Sequence, residues 1–226
     1  MNALVETVRA ELAARARPEK APDMQAYLKS AMPVYGVPRA GHREVARLVP
    51  PLDGFEAWRS FVLELWRGAE HREERYVALD VLALPRYRAF RTMEALPLYE
   101  ELIVTGAWWD LVDPVATRRL EELFPDVVPI LRAWSVSEDM WLRRSAIIAQ
   151  VNRKANTDFP LLAELIEPNR GDREFFIRKA IGWALREYSK TNPSAVASYC
   201  ASHELSGLSR REALKRIGAG PAPPAA

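Results

Sequence analysis

A single cysteine, Cys200, and three scattered histidines, His42, His71 and His203, are all that 226 residues hold of those two types. One thiol excludes an internal disulfide and suits a reducing compartment, which points to the cytoplasm. So few nitrogen and sulfur donors leave no zinc-type ligand cluster. No apolar run approaches the roughly 18 residues of a membrane span, so no membrane partner is expected. The first dozen residues place Glu6, Arg9 and Glu11 where a secretory leader carries an apolar block, and they read as an amphipathic helix. Ten glycines leave little material for phosphate-cradling loops. The chain has no G-x-x-x-x-G-K-[ST] loop, no dinucleotide fingerprint and no G-x-S-x-G elbow. Convincing period-2 strands and Asn-Gly hairpin signals are absent too, which excludes a sheet-based fold.

Helical periodicity fills the space that remains. Apolar residues make up 49% and charged residues 27%, the ordinary globular range. Phe55, Trp58, Val62, Leu65 and Trp66 fall on one helical stripe, as do Met93, Leu96, Leu98 and Leu102. Prolines punctuate the chain more often than they interrupt it. The pattern predicts helices at about 2–16, 21–32, 39–48, 54–67, 70–83, 86–104, 109–122, 125–134, 138–152, 158–167, 173–190, 194–203 and 209–217. Short loops imply antiparallel neighbours, and the pair spacing of roughly 35–40 residues is that of HEAT-like repeats. The expectation is an all-α solenoid of antiparallel helix pairs with a concave inner layer. It forms one domain over 1–218, followed by a disordered tail over 219–226.

Charge is uneven. Residues 1–142 carry a net −4 and residues 143–216 a net +6. A basic C-terminal third suits a polyanion, with nucleic acid the first candidate. The plainer alternative is a solvated arginine-rich surface, since Arg supplies 26 of the 32 basic residues.

Three constellations stand out. Trp109 and Asp113, four apart in Trp108-Trp109-Asp110-Leu111-Val112-Asp113, share a face if both are helical. An aromatic plane beside a carboxylate suits a site that stabilises a cation. Pro114 leaves two readings open: Asp113 is a helix cap and Pro114 the first helical residue, or Asp110 caps and Asp113 lies in the first turn, and only the second keeps Trp109 and Asp113 on one face. On the second constellation, Lys179, Trp183, Arg186 and Lys190 line one side of a helix, off the apolar stripe of Phe176, Ile177, Ala180, Ile181, Ala184, Leu185 and Tyr188. A tryptophan framed by cations suits a phosphate-rich ligand with a ring or sugar to stack. Packing of Trp183 against the next repeat, with solvated charges around it, accounts for the same pattern. The third is Arg143-Arg144, behind a helix start with Ser137 as the expected N-cap. The two arginines point to different sides, so at most one grips a phosphate directly. A structural ion pair is the commoner fate of such a pair.

The segments TGAWWDLVD (105–113), DMWLRRSAI (139–147), FFIRKAIGWALREYSKTNP (175–193) and LSRREALKRIG (208–218) resemble the AlkD-like DNA alkylation repair glycosylases. MQAYLKSAMPVYGVPR (24–39) resembles the N-terminal part of that family, so the likeness spans nearly the whole chain in order. The resemblance implies HEAT-like repeats around a concave DNA-binding cleft. It implies excision of positively charged alkylpurines, of the 3-methyladenine and 7-methylguanine type, from duplex DNA by a monomeric enzyme without a cofactor. By position, Asp113, Trp109 and Trp183 match the catalytic cleft residues, Arg144 matches an arginine near the DNA backbone, and Tyr27 falls at a cleft aromatic. Lys179, Arg186 and Lys190 are candidate backbone contacts. Pro38 and Pro114 depart from the pattern: the first bears on local DNA contacts, the second on how Asp113 stands relative to Trp109. A non-catalytic repeat module that binds DNA structures or a protein partner is the alternative.

Overall fold

Residues 2–217 are described by the computed structural model, and they form thirteen α-helices and no strand. The helices are α1 (Asn2–Ala14), α2 (Ala21–Leu28), α3 (Arg39–Leu48), α4 (Gly54–Arg67), α5 (Arg72–Ala83), α6 (Leu96–Gly106), α7 (Trp109–Pro114), α8 (Val128–Ser135), α9 (Met140–Ile148), α10 (Phe159–Ile166), α11 (Phe175–Tyr188), α12 (Pro193–Ser202) and α13 (Gly207–Leu214). None of them is long and apolar enough to cross a membrane. The expected tail at 219–226 lies outside the described residues. The chain divides into two compact units, Met1–Leu102 and Ile103–Ala226, with the division inside α6.

In the first unit α3 and α4 each pack on α5, and α1 braces all three. The expected stripe of α4 holds at Trp58, Val62, Leu65 and Trp66, which are buried with Phe61 beside them, while Phe55 in the first turn is only half-buried. Two buried carboxylates organise the polar end of α5. Glu73 accepts hydrogen bonds from the backbone N–H groups of Tyr35, Gly36 and Val37, at 3.0, 2.9 and 3.0 Å, and so shapes the connection into α3. Glu74 completes a capping box with His71 and pairs with Arg9 of α1 at 3.0 Å.

The second unit is built on a row. α7 packs on α9, α9 on α11 and α11 on α13, while α8, α10 and α12 lie against members of that row. Row helices begin at residues 109, 140, 175 and 207, a repeat of a little over thirty residues. It is tighter than the sequence spacing suggests because α8 and α10 have only eight residues each.

Two expected helices are broken, both by proline. The stretch 86–104 becomes 3₁₀ turns over Pro85–Phe90 and Met93–Ala95, after which α6 restarts at Leu96. Pro97 lacks an N–H, so it suits the first turn of a helix and not the middle of one. The stretch 109–122 becomes α7, a π-helical turn over Val115–Arg119 and a 3₁₀ turn over Glu121–Leu123. Here Pro114 stays in helical geometry (φ −61°, ψ −34°), but its missing N–H cannot continue the regular ladder. The chain widens instead, and Leu120 donates to the Val115 carbonyl at 3.2 Å.

Candidate active site

The turn before α7 sets the site. Ala107 holds a left-handed φ of +42°, a strained conformation for an L-residue. It swings the chain so that Trp108 becomes the extended N-cap residue and Trp109 the first residue of α7. Neither Asp110 nor Asp113 is the cap. Asp113 lies one turn beyond Trp109 inside the helix, so the two share a face.

Trp108 turns toward the interior. Its ring lies 6.2 Å from Trp141 and 5.2 Å, edge-on, from Phe176, and the Trp141–Phe176 separation is 5.1 Å. This cluster joins the start of α7 to α9 and α11.

Asp113 is held at both ends. Its backbone carbonyl accepts from the Thr117 hydroxyl at 2.8 Å. Its carboxylate receives a planar fork from Arg144: Nε donates to Oδ1 at 2.8 Å and Nη2 to Oδ2 at 2.7 Å. Arg144 Nη1 donates to the Phe176 carbonyl at 2.7 Å, and the guanidinium carbon lies 5.9 Å from the Phe176 ring centre. One arginine of α9 thus ties the carboxylate of α7 to the first turn of α11. The side chains are 6% (Arg144) and 15% (Asp113) exposed. Burial pushes the Asp113 carboxyl above the ordinary carboxylate range; the Arg144 fork opposes this, and nearby Asp110 adds to it. The result is a carboxylate with little water around it and a fixed orientation, which suits stabilising positive charge.

The local starts follow from the sequence with one shift. α9 is capped by Asp139, whose carboxylate accepts from the Trp141 and Leu142 N–H groups at 2.8 and 3.0 Å. Ser137, expected as the cap, accepts from the Asp139 N–H at 3.1 Å and orders the turn before it. Arg143 turns away from its neighbour, to the Ser137 carbonyl at 2.7 Å and Asp172 at 3.1 Å. The opposite directions expected for Arg143 and Arg144 are therefore seen, with both guanidinium groups bound to protein acceptors.

Of the α11 stripe, Ile177, Ala180, Ile181, Ala184 and Leu185 are buried, while Phe176 and Tyr188 are half-buried. Trp183 is half-buried as well, two turns after Phe176 on the same side of the helix, so the two stripes expected to be separate meet at Phe176. The cations that frame it are engaged. Lys179 pairs with Glu212 of α13 at 2.9 Å, Arg186 pairs with the same carboxylate, and Lys190 pairs with Glu187. Glu212 is held below the ordinary carboxylate range, first by the Lys179 hydrogen bond and then by Arg186. Tyr27 is 73% exposed on α2 of the first unit. That unit also carries a feature that the sequence reading passed over: Arg39, Arg43 and Arg47, four residues apart on α3, are all exposed. The four-residue spacing was the available signal. The Phe176 carbonyl was missed too, and no side-chain pattern could reveal it.

Comparisons with known proteins agree with one another. Residues 8–217 match the family model of DNA alkylation repair enzymes. The fold superposes on a predicted DNA alkylation repair enzyme from Enterococcus faecalis with a TM-score of 0.78 and 30% identity, covering 91% of this chain and 98% of that one. No curated protein matches the chain. With a family match over most of its length and a solved relative over nearly all of it, the chain belongs to the DNA alkylation repair enzyme family.

Proposed function

We propose that this protein is a DNA glycosylase that hydrolyses the N-glycosidic bond of positively charged alkylpurines, of the 3-methyladenine and 7-methylguanine type, in duplex DNA. The observation that carries the reading is the Asp113 carboxylate, desolvated, forked by Arg144 and one helical turn from Trp109.

An alkylated purine already bears a positive charge and leaves as a neutral base, so no general acid is needed. As the glycosidic bond lengthens, positive charge passes to the deoxyribose. Asp113 stabilises that oxocarbenium-like state and orients water for attack on the sugar carbon. The same logic governs sugar glycosides, where a poorer leaving group also calls for a paired acid. The indole faces of Trp109 and Trp183 add cation–π attraction, worth about 0.5–2 kcal/mol in a desolvated setting. Arg144 acts through Asp113 as a positioning residue: its fork uses one lone pair on each oxygen and leaves the others for the sugar and water. The exposed arginines of α3 and the basic C-terminal third serve the DNA backbone.

The test is release of 7-methylguanine from methylated duplex DNA. Asp113→Asn is expected to lower the rate at least tenfold, about 1.4 kcal/mol of barrier. Thermal melting and duplex affinity are measured beside it, because the substitution weakens the partner of a buried arginine. An unchanged rate in the folded variant rules out the catalytic role. Duplex binding with no base release from the wild type leaves a non-catalytic DNA-binding module.

A further inference from the structure

The connections α10–α11 and α12–α13 border an open, solvent-facing cavity of about 780 Å³, within the size range of small-ligand sites. Its wall contains three arginines, Arg170, Arg173 and Arg178, and three carboxylates. Two of the carboxylates are already committed. Glu167 pairs with Arg170 at 2.6 Å. Asp172 accepts from the Glu174 N–H at 2.8 Å through Oδ1 and from Arg143 at 3.1 Å through Oδ2. Only Glu204 remains against Arg173 and Arg178, and among the described residues neither of these arginines has an ion pair or a side-chain hydrogen bond. Nε of Arg178 is buried without an acceptor, as is Nε of Arg170. A buried guanidinium nitrogen left unmatched is destabilising, an arrangement that an arriving acceptor relieves.

We propose that this cavity binds a phosphoryl group, gripped by Arg173 and Arg178. Two guanidinium groups in the wall of one cavity match a tetrahedral oxyanion better than any neutral ligand. The cavity also adjoins Ser206, which caps the N-terminus of α13 by accepting from the Ser209 N–H at 3.1 Å, an end of the helix that favours negative charge. Consecutive residues of α9 connect this cavity with the candidate active site: Arg143 holds Asp172 in its wall, and Arg144 holds Asp113. The phosphoryl group is either a backbone phosphate of bound DNA or that of a free phosphorylated molecule. The site does not depend on the glycosylase reading, because occupancy is measured without base release.

The experiment titrates the full ¹⁵N-labelled chain with inorganic phosphate at constant ionic strength and follows the arginine Nε–H signals by NMR. Saturable shifts at Arg173 and Arg178 are expected, with affinity falling about tenfold or more in Arg173→Gln and further in the Arg173→Gln, Arg178→Gln pair. Arg173 is exposed, so its single variant tests the site even where the double variant folds poorly. Competition with undamaged duplex then separates the sources: displacement of phosphate assigns the DNA strand, and its persistence assigns a free phosphorylated molecule. Absent shifts, or phosphate affinity unchanged in Arg173→Gln, overturn the proposal. Loss of 7-methylguanine release in any variant bears on the active site alone and leaves this readout intact.

Discussion

At the scale of single residues, Asp113 is a compromise between burial and ion pairing. Burial raises its carboxyl and the Arg144 fork only partly offsets this, so the fold prefers the protonated form more than water does. The stability that this preference contributes is present below the unfolded value and is lost as pH rises through the folded one. Chemistry needs the other form. Base release is therefore expected to rise with pH through a midpoint above the ordinary carboxylate value near 3.9, read from kcat/KM on a methylated duplex. Arg144→Met removes the hydrogen bonds that pull the carboxyl down, and it should move that midpoint higher while lowering activity at neutral pH. A purely structural loss would lower the rate without moving the midpoint, which separates positioning from scaffolding. The four-residue spacing of Trp109 and Asp113 offered the shared face, but Pro114 made a helix cap at Asp113 equally readable, and only the fold decides between them. The fork was not legible, because it joins residues 31 positions apart through a third element whose contribution is a backbone carbonyl.

Among the elements, α11 and α13 show how a missing side chain controls charge. A Cβ on Gly182 would lie 2.4 Å from the Glu212 Cβ and 2.9 Å from the Ser209 carbonyl oxygen, so only glycine lets α13 seat this closely. Close seating is what brings Glu212 to Lys179 and Arg186. Gly182→Ala is expected to force the helices apart and to lower stability by about 1–3 kcal/mol, measured by denaturant unfolding. Glu212→Gln keeps the shape and removes the charge. Lys179 and Arg186 are then released toward any polyanion, and duplex affinity should tighten, with a salt slope steeper by about 1. Unchanged affinity and slope would place both cations away from the DNA. Because Glu212 is held low, its ion pairs contribute stability above its unfolded value that is lost as pH falls through the folded one, and Glu212→Gln should flatten that acid limb. The Lys179-Trp183-Arg186 stripe was visible as a pattern on one helix. Its neutralising carboxylate was hidden, because nothing in a periodic pattern says which neighbouring helix a glycine admits. The same limit applied to α7, where Pro114 was visible as a possible break while the π turn that accommodates it was not.

Taken over the whole chain, charge is better described by its pairing than by its sum. The net +6 of residues 143–216 reads as a strong polyanion surface, yet Arg143, Arg144, Arg170, Lys179, Arg186 and Lys190 all face carboxylates. An ion-paired cation that meets a phosphate exchanges one anion for another and gains less than a solvated one. Arg39, Arg43 and Arg47 lie on an exposed face in the half of the chain that is net negative, where Arg43 keeps only a long 3.8 Å contact to Asp80, so the regional sum conceals them. Regional charge thus pointed to a polyanion without showing which cations are already committed to carboxylates. Affinity for undamaged duplex should fall as salt rises, with a log–log slope of magnitude about 3 or more, equivalent to at least three or four neutralised phosphates. Replacing Arg43 and Arg47 together by Gln should reduce that slope by about 2 and weaken matched and alkylated duplex alike, since phosphate contacts carry no base information. Preferential loss on the alkylated duplex would instead put these arginines at the lesion, and a flat salt response in the unaltered protein would remove the basic surface from the binding mechanism. The contrast with Asp113→Asn is the decisive one: removing α3 cations should weaken affinity and leave the single-turnover rate at saturating protein unchanged, whereas removing the carboxylate should lower that rate at constant affinity.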